Sequence, residues 1–527
     1  MKKQLFSLLI VYIFVFCASA DEYLLPTCDS IMTNDLSNLV ETYDLDDDGT
    51  QNILLGTKIN GNLYNYVYRG ADCSVDWSYL QGGWVYDTPG DVKSFSVADL
   101  QGDGVKKIVV NSAQSNLNKG SKPKEYVYVI SKNAVIDWNF DKECGFSNSV
   151  SASDLDNSGI KNIVLGTSSG KVCVLADDTK NKNINPVMWS YITEYPVQYV
   201  TVTDVEGDGK DDVIALSSKY GAAKVYWFTN TGELVYSFEL SQGVYQGANP
   251  WELLKVEDLD GGGIKSFIMG TSRGVSVWKN KQKSWEYNFN NQVSSVLVVD
   301  LDGDGKKEVL VGSAPEVVAF DLKGNKKWTW TSTEARTLYS MSADDIDGDG
   351  KKEVAVGAKG YIFVIDDDGS EKGNWKYRVE IQGGAKNYSE RDASAVSVYM
   401  GNLDQDNDKE VVAAWNWEED TIRGNQYSTT LRVYEINKNY VAPTIQAMTT
   451  TTAPSHQEIN NAGDETPDKD DVEDDYAANE GSDDMGMQGY YGVEHEEEKS
   501  SGFCCLPMLP ALLAGVCAIF SRALLKV

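Results

Sequence analysis

Short apolar runs alternate with acidic, glycine-containing loops along most of the chain. In "VVDLDGDGKKEVLVGS" (298–313), two runs rich in valine and leucine flank a loop that contains Asp300, Asp302, Asp304 and Glu308. The runs contain β-branched residues and show no helical period, which predicts β-strands. Like charges this close together repel one another, so the loop also predicts a bound cation.

This strand–loop–strand unit occurs eight times. The loops begin at Asp44, Asp99, Asp154, Asp204, Asp258, Asp300, Asp345 and Asn402, which are 42 to 57 residues apart. Each unit continues with two further apolar strands, and seven units end in an aromatic-x-aromatic sequence such as Trp285-Glu-Tyr287. Four short strands in units of this length predict the blades of a β-propeller.

The predicted fold class is therefore all-β, with a propeller over residues 21–440. Eight loops indicate eight blades, although the last unit has no aromatic-x-aromatic strand of its own. The N-terminal segment "EYLLPTC" (22–28) can supply the missing strand and close the ring. A seven-bladed ring with one divergent unit is the alternative interpretation.

The loops have the composition of calcium sites. Oxygen-bearing side chains occupy positions 1, 3, 5 and 9, and position 6 is usually glycine. Calcium prefers several oxygen ligands from a flexible loop, and glycine permits a sharp turn. An EF-hand differs, because it has flanking helices and a glutamate at position 12. The predicted Ca²⁺ ligands are Asp44, Asp46, Asp48, Asn52; Asp204, Glu206, Asp208, Asp212; Asp300, Asp302, Asp304, Glu308; Asp345, Asp347, Asp349, Glu353; and Asn402, Asp404, Asp406, Glu410.

The other three loops depart from this pattern, and we predict weak or empty sites there. In the loop that begins at Asp99, the ninth residue is Lys107, whose ammonium group can take the place of a metal ion. The loops that begin at Asp154 and Asp258 have uncharged residues at positions 5 and 9.

Over about residues 30 to 440, the repeats resemble the FG-GAP repeats of integrin α-subunit propellers, whose D-x-D-x-D-G-x-x-D loops bind calcium. The resemblance implies that the calcium loops lie on one face and that longer loops on the other face contact ligands. The long segments are 80–91, 240–251, 381–393 and 415–427. Their candidate ligand-contacting residues are Trp84, Tyr86, Tyr245, Trp251, Arg391, Trp415 and Trp417.

The two ends of the chain predict export and membrane attachment. Residues 1–20 have Lys2 and Lys3, an apolar run and an Ala-Ser-Ala sequence, which is typical of a signal peptide. Residues 441–502 form a threonine-rich and acidic segment that predicts a disordered stalk. Residues 503–521 predict one transmembrane helix and 522–527 a short cytoplasmic tail, with a removed lipid-anchor signal as the alternative. These features predict a single-pass type I cell-membrane protein with an extracellular propeller.

Charge and residue usage exclude several functions. The net charge of −32 argues against nucleic acid as a partner. The only histidines, His456 and His495, lie in the stalk, so the propeller has none for a Ser-His-Asp arrangement. Four cysteines lie between the signal peptide and the stalk, Cys28, Cys73, Cys144 and Cys173, and they allow three disulfide connectivities, of which we favour one with Cys28–Cys73.

The expected function is recognition or adhesion, with an extracellular protein or glycan as the ligand and no catalytic activity. An architectural component of the cell envelope without a specific ligand is one alternative. The other is an enzyme, because the tryptophan-containing turns also resemble those of eight-bladed quinoprotein dehydrogenases. We expect the tryptophans instead to lock neighbouring blades together.

Overall fold

The computed structural model describes residues 23–437, with the exception of 34–35, 59–60, 69–83, 89–90, 114–124, 132–135, 141–143, 146, 177–186, 220, 241, 245–248, 384–386, 405, 407 and 422–423. The predicted signal peptide, stalk, transmembrane helix and cytoplasmic tail lie outside the described residues. Among those described, no helix has the length and apolarity needed to cross a membrane.

The described residues form eight four-stranded antiparallel sheets and one two-stranded hairpin. The all-β prediction is confirmed, and the blade count is eight rather than seven. The first strand, β1 (Leu24–Thr33), belongs to the last blade.

The other strands follow in chain order, four to a blade. Blade 1 contains β2 (Ser37–Tyr43), β3 (Asn52–Thr57), β4 (Asn62–Val67) and β5 (Trp84–Asp87). Blade 2 contains β6 (Asp91–Ala98), β7 (Lys107–Ala113), β8 (Glu125–Ser131) and β9 (Ile136–Phe140). Blade 3 contains β10 (Ser147–Ser153), β11 (Asn162–Thr167), β12 (Lys171–Leu175) and β13 (Val187–Ile192). Blade 4 contains β14 (Val197–Thr203), β15 (Asp212–Lys219), β16 (Ala222–Phe228) and β17 (Leu234–Glu239).

The second half of the ring begins after a short helix, α1 (Pro250–Leu253). Blade 5 contains β18 (Leu254–Glu257), β19 (Ser266–Gly270), β20 (Gly274–Lys279) and β21 (Gln282–Asn288). Blade 6 contains β22 (Ser295–Val299), β23 (Glu308–Ser313), β24 (Glu316–Phe320) and β25 (Lys326–Thr331). Blade 7 contains β26 (Leu338–Asp344), β27 (Glu353–Ala358), β28 (Tyr361–Ile365) and β29 (Glu371–Lys376). The hairpin of β30 (Arg378–Gly383) and β31 (Asn387–Asp392) precedes β32 (Ser394–Gly401), β33 (Glu410–Thr421) and β34 (Gly424–Ile436) of blade 8.

The ring closes through the N-terminal strand. β1 lies at the outer edge of blade 8, antiparallel to β34, with Leu24 opposite Ile436. The first strands of most neighbouring blades contact one another, α1 contacts β14 between blades 4 and 5, and β32 contacts β2 to complete the circle. The prediction that an N-terminal strand closes the ring is thus confirmed, but the strand is longer than predicted and extends to Thr33.

The core lies between the blades. All six residues of β11, β23 and β27 are buried, because these second strands are covered by neighbouring blades on both faces. The fourth strands are half-covered, and in β13 exposed residues alternate with half-buried ones. Such alternation is expected for an outer strand with one face in water.

Tryptophans of the fourth strands join each blade to the next. The indole N–H of Trp285 on β21 donates to the carbonyl of Leu322, in the β24–β25 turn of blade 6, at 3.1 Å. The ring lies over Gly324, where a Cβ atom would come within 2.7 Å of Trp285. Trp189 and Trp328 make the equivalent contacts with the turns at Gly232 and Gly369. The predicted interlocking role of the tryptophans is confirmed at these three positions.

Blade 3 contains a disulfide between Cys144 and Cys173, whose Cα atoms are 6.0 Å apart. It links the residues before β10 to β12. Cys73 and the side chain of Cys28 lie outside the described part, so their pairing stays a prediction.

Candidate metal centres

The acidic loops connect the first and second strands of the blades, so all of them leave the same end of the ring. In seven loops position 6 is a glycine in the left-handed backbone region, for example Gly305 at φ 85°. Position 4 of these loops is also left-handed, and Asp47 (φ 59°) and Asn157 (φ 55°) stand there where the other five have glycine. Asp and Asn tolerate this conformation better than other non-glycine residues. Sequence reasoning missed this requirement at position 4.

Side chains of the loop hold its backbone in place. The position 1 carboxylate of Asp44 accepts the N–H groups of Asp48 and Gly49 at 3.2 and 3.0 Å. At position 5, Asp304 accepts the N–H of Lys306 at 2.8 Å. At position 9, Glu410 accepts the N–H of Leu403 at 2.7 Å. Each of these side chains therefore accepts backbone hydrogen bonds within the loop, and its remaining oxygen lone pairs can face a cation.

Neighbouring loops are also joined to one another. The N–H at position 8 donates to the carbonyl at position 2 of the preceding loop, as from Lys307 to Leu259 at 3.0 Å and from Lys352 to Leu301 at 2.9 Å. The same bond joins Lys161 to Leu100 and Lys265 to Val205. These bonds join the loop of blade 2 to that of blade 3, and the loops of blades 4, 5, 6 and 7 in series.

Four loops bring three carboxylates together, with ligand oxygens within 4.8 Å of one another. These clusters, counted over the described residues, are Asp44, Asp46 and Asp48; Asp300, Asp302 and Asp304; Asp345, Asp347 and Glu353; and Asp404, Asp406 and Glu410. The loop that begins at Asp204, although it has all four acidic positions in sequence, does not form such a cluster. There Asp212 accepts the N–H of Val205 at 3.1 Å, and burial raises the pKa of Asp212 to about 6.

The position 1 oxygens fit a bound cation. Oδ1 of Asp300 and Oδ1 of Asn402 are buried, and neither accepts a hydrogen bond from any described residue. A buried acceptor without a donor is costly, and a metal ion would satisfy it. In the same loop as Asn402, burial raises the pKa of Glu410 to about 8. These oxygens match the hard ligands that calcium takes.

Two of the clusters contain a lysine ammonium group that sequence reasoning did not find. Lys327 Nζ lies 2.7 Å from an oxygen of Asp302 and 2.9 Å from one of Glu308. Lys372 Nζ bonds Asp347 and lies 2.8 Å from Glu353. Burial alone would lower the pKa of Lys372, but these hydrogen bonds outweigh it and raise the pKa. Both lysines follow the turn glycine by three residues, which is the signal that marks them.

At position 9 of the first loop, Oδ1 of Asn52 accepts the N–H of Leu45 at 3.3 Å, as the glutamates do at this position in other loops. This oxygen has a second lone pair, and its role as a Ca²⁺ ligand stays a prediction. In the loop that begins at Asp258, predicted weak or empty, Lys279 Nζ lies 2.8 Å from both carboxylate oxygens of Asp260.

The four long segments reach the opposite end of the ring, because they contain connections from fourth to first strands or from second to third strands. Trp415 is a correction: it is fully buried on β33, and its indole N–H donates to Tyr434 Oη at 2.9 Å. It is a core residue because β33 continues as a regular strand through it.

The other candidate ligand residues are partly packed or not described. Tyr86 packs edge-on against Tyr128, Trp251 packs across the axis against blades 1 and 2, and Trp417 packs on the core of blade 8. Tyr245 and the side chains of Trp84 and Arg391 lie outside the described part of the structure.

Comparison with known proteins agrees with this reading of the fold. Residues 300–356 match the family model described as FG-GAP-like repeat. Together with the eight blades and the repeated loops, this match supports the identification of the chain as an FG-GAP β-propeller repeat protein.

Similar solved structures are distant in sequence. They include BBS1N in complex with ARL6DN (13% identity, 79% of this chain and 98% of that chain, TM-score 0.42). The biofilm matrix protein Bap1 of V. cholerae has 14% identity over 79% of this chain and 88% of that chain, with a TM-score of 0.34. Sqt1 from Chaetomium thermophilum has 12% identity over 63% and 82%, with a TM-score of 0.42. No curated protein sequence matches the chain.

Proposed function

We propose that the protein is a calcium-stabilised β-propeller that recognises or adheres to protein or glycan ligands outside the cell. The observation that carries this proposal is the cluster of Asp300, Asp302 and Asp304, in which a buried oxygen of Asp300 accepts no hydrogen bond from the described residues. A divalent ion there would neutralise the loop and fix the hairpin, so its binding energy would add to the stability of the fold.

The separation of the two ends of the ring supports recognition. The acidic loops occupy one end, and the connections at the other end are free to differ from blade to blade. Loops on a rigid scaffold are common carriers of binding residues. FG-GAP propellers are generally binding proteins rather than enzymes. Display at the cell surface, with the signal peptide, stalk and transmembrane helix in these roles, is part of the same proposal.

Thermal unfolding tests the role of calcium. We expect a lower melting temperature in chelator than in Ca²⁺. A free Ca²⁺ concentration of 100 times the dissociation constant of a site adds about 2.7 kcal/mol to the free energy of unfolding. Asp304→Asn should reduce this difference. Asp103→Asn is the matched control, because it changes position 5 of a loop whose ninth residue is Lys107. Equal melting temperatures with and without Ca²⁺ would contradict the calcium proposal.

A binding screen tests recognition. The intact chain in detergent is applied to arrays of extracellular proteins and of glycans, with Ca²⁺ or with chelator. Calcium-dependent binding to a defined set of ligands is the expected result. If calcium stabilises the protein but no ligand is found, the architectural role is favoured instead.

A further inference from the structure

A cleft of about 980 Å³ lies between blades 5, 6 and 7, at the end of the ring opposite the acidic loops. The β19–β20 and β23–β24 turns form two of its walls. The connections from β21 to β22 and from β25 to β26 form the others. Its size lies within the range of ligand sites in proteins. None of the segments singled out from the sequence contributes to it.

The charge of the cleft is opposite to that of the protein. Arg273 and Arg336 line it, and no described carboxylate does, although the chain has 79 acidic residues against 47 basic ones. Both arginines are exposed, and neither forms an ion pair with a residue that the structure describes. An arginine without a carboxylate partner keeps its planar donors available for an anion.

The remaining surface of the cleft is made of amides and hydroxyls. Asn290, Gln292 and Thr333 are exposed there, and no aromatic ring is present among the described lining residues. Such a surface offers hydrogen bonds in both directions, which suits the hydroxyls of a sugar. It offers little to a nucleobase, which needs a stacking partner, or to an apolar peptide anchor.

Hydrogen bonds between neighbouring segments fix the walls. Asn291 Nδ2 donates to the carbonyl of Ala314 at 2.8 Å, and Ser313 Oγ donates to the carbonyl of Asn291 at 3.0 Å. The N–H of Ser332 donates to the carbonyl of Pro315 at 2.9 Å. The β21–β22, β23–β24 and β25–β26 segments are therefore held together before any ligand arrives, which lowers the entropic cost of binding.

We infer that this cleft binds an anionic glycan, with Arg273 and Arg336 on a carboxylate or sulfate group and the amides and hydroxyls on the sugar. The inference rests on the proposed recognition function and gives that function a site and a ligand class. Guanidinium groups bind carboxylate and sulfate oxygens in pairs, so both anions fit the same chemistry.

The test measures binding of the intact chain to three tetrasaccharides of equal length: a hexuronate, a sulfated one and an uncharged one. Isothermal titration in Ca²⁺ is carried out for the parent, Arg273→Gln and Arg336→Gln. Lys323→Gln is the matched control, because it removes one exposed positive charge from a turn at the other end of the ring. We expect either arginine variant to weaken binding of an anionic tetrasaccharide about tenfold, and the control to leave it unchanged.

The outcomes separate this inference from the proposed function. Preference for the hexuronate or for the sulfated sugar supports the inference and identifies the anion. Equal binding of the uncharged sugar, binding that neither arginine variant changes, or no binding of any tetrasaccharide overturns it. If the array screen then finds calcium-dependent ligands that the arginine variants still bind, recognition stands and only this site is wrong.

Discussion

At the scale of single residues, Glu41 shows the energetic cost of burying a carboxylate near the axis of the ring. It lies on β2, and its electrostatic partners Lys255 and Glu252 come from the region of blade 5, on the other side of the ring. Burial raises the pKa of Glu41 to about 7, although Tyr43 Oη donates a hydrogen bond to it. The ionised carboxylate is therefore disfavoured in the folded protein.

Replacement of Glu41 by Gln should stabilise the protein in a pH-dependent way. The pKa is higher in the folded state than the ordinary value of 4.5, so ionisation of the parent costs stability as the pH rises from 4.5 to 7. We expect Glu41→Gln to gain about 3 kcal/mol over the parent at pH 8 and little at pH 4.5. Urea unfolding at several pH values measures this difference.

The control for this prediction is Glu233→Gln, which changes an exposed carboxylate in a turn. Its effect on unfolding should not depend on pH in the same way. A stability difference for Glu41→Gln that stays constant from pH 4.5 to pH 8 would show that the carboxylate is not desolvated.

At the scale of the elements, the clustered carboxylates of the acidic hairpins need positive partners, and lysines supply them in two of the clusters. Lys327 and Lys372 bond carboxylates of the clusters at Asp300 and Asp345, whereas in the first loop Lys106 Nζ donates to the carbonyl of Asp44 and to Oδ1 of Asp47. An ammonium group and a metal ion compete for the same carboxylates. The proposed calcium sites should therefore differ in how much stability they lose when calcium is removed.

Lys372→Met separates the two kinds of cation. Without calcium we expect a loss of about 3 kcal/mol, because Glu353 is fully buried and would lack a positive partner. With saturating calcium the loss should be much smaller, since the metal takes over the charge. Thermal and urea unfolding in both conditions measure this, with Lys323→Met as an exposed control. An equal loss in both conditions would mean that Lys372 and calcium do not share a site.

Gly324→Ala tests the tryptophan contact between blades. Gly324 has φ 84°, and its Cβ would meet Trp285, whereas Gly209 has φ 82° and open space around it. Both alanines carry backbone strain of about 1–2 kcal/mol. We expect Gly324→Ala to lose roughly 1–3 kcal/mol more through displacement of the indole. Equal unfolding free energies for the two variants would rule out an energetic role for this contact.

The repeat made the strands and loops of this protein predictable, because alternation and loop composition are local. The features that the sequence did not predict depend on contacts between segments that are distant along the chain. The position of Lys372 in a carboxylate cluster depends on how the β28–β29 turn folds back over the acidic loop. Trp415 was misjudged because an extended strand and a long loop look alike in an aromatic-rich segment.

At the scale of the whole molecule, stability depends on one strand that is far away in sequence from its blade. Leu24 on β1 is fully buried against blade 8. Leu24→Ala should destabilise the propeller by about 2–4 kcal/mol, because it leaves a cavity at the seam of the ring. Urea unfolding followed by tryptophan fluorescence and by circular dichroism measures the loss.

Leu234→Ala is the matched control, since Leu234 is 42% exposed on an outer strand. We expect a change below about 0.5 kcal/mol for it. If the two leucine variants are equally stable, the N-terminal strand does not contribute to closure of the ring in solution.

The closure also determines how the propeller would bear mechanical tension. The chain leaves blade 8 at Asn437, whose N–H still donates to the carbonyl of Tyr23 at 2.9 Å. The strand before it, β34, is flanked by β33 on one side and β1 on the other. A pull on the residues that follow must therefore shear two hydrogen-bonded ladders at once, rather than peel an edge strand away bond by bond.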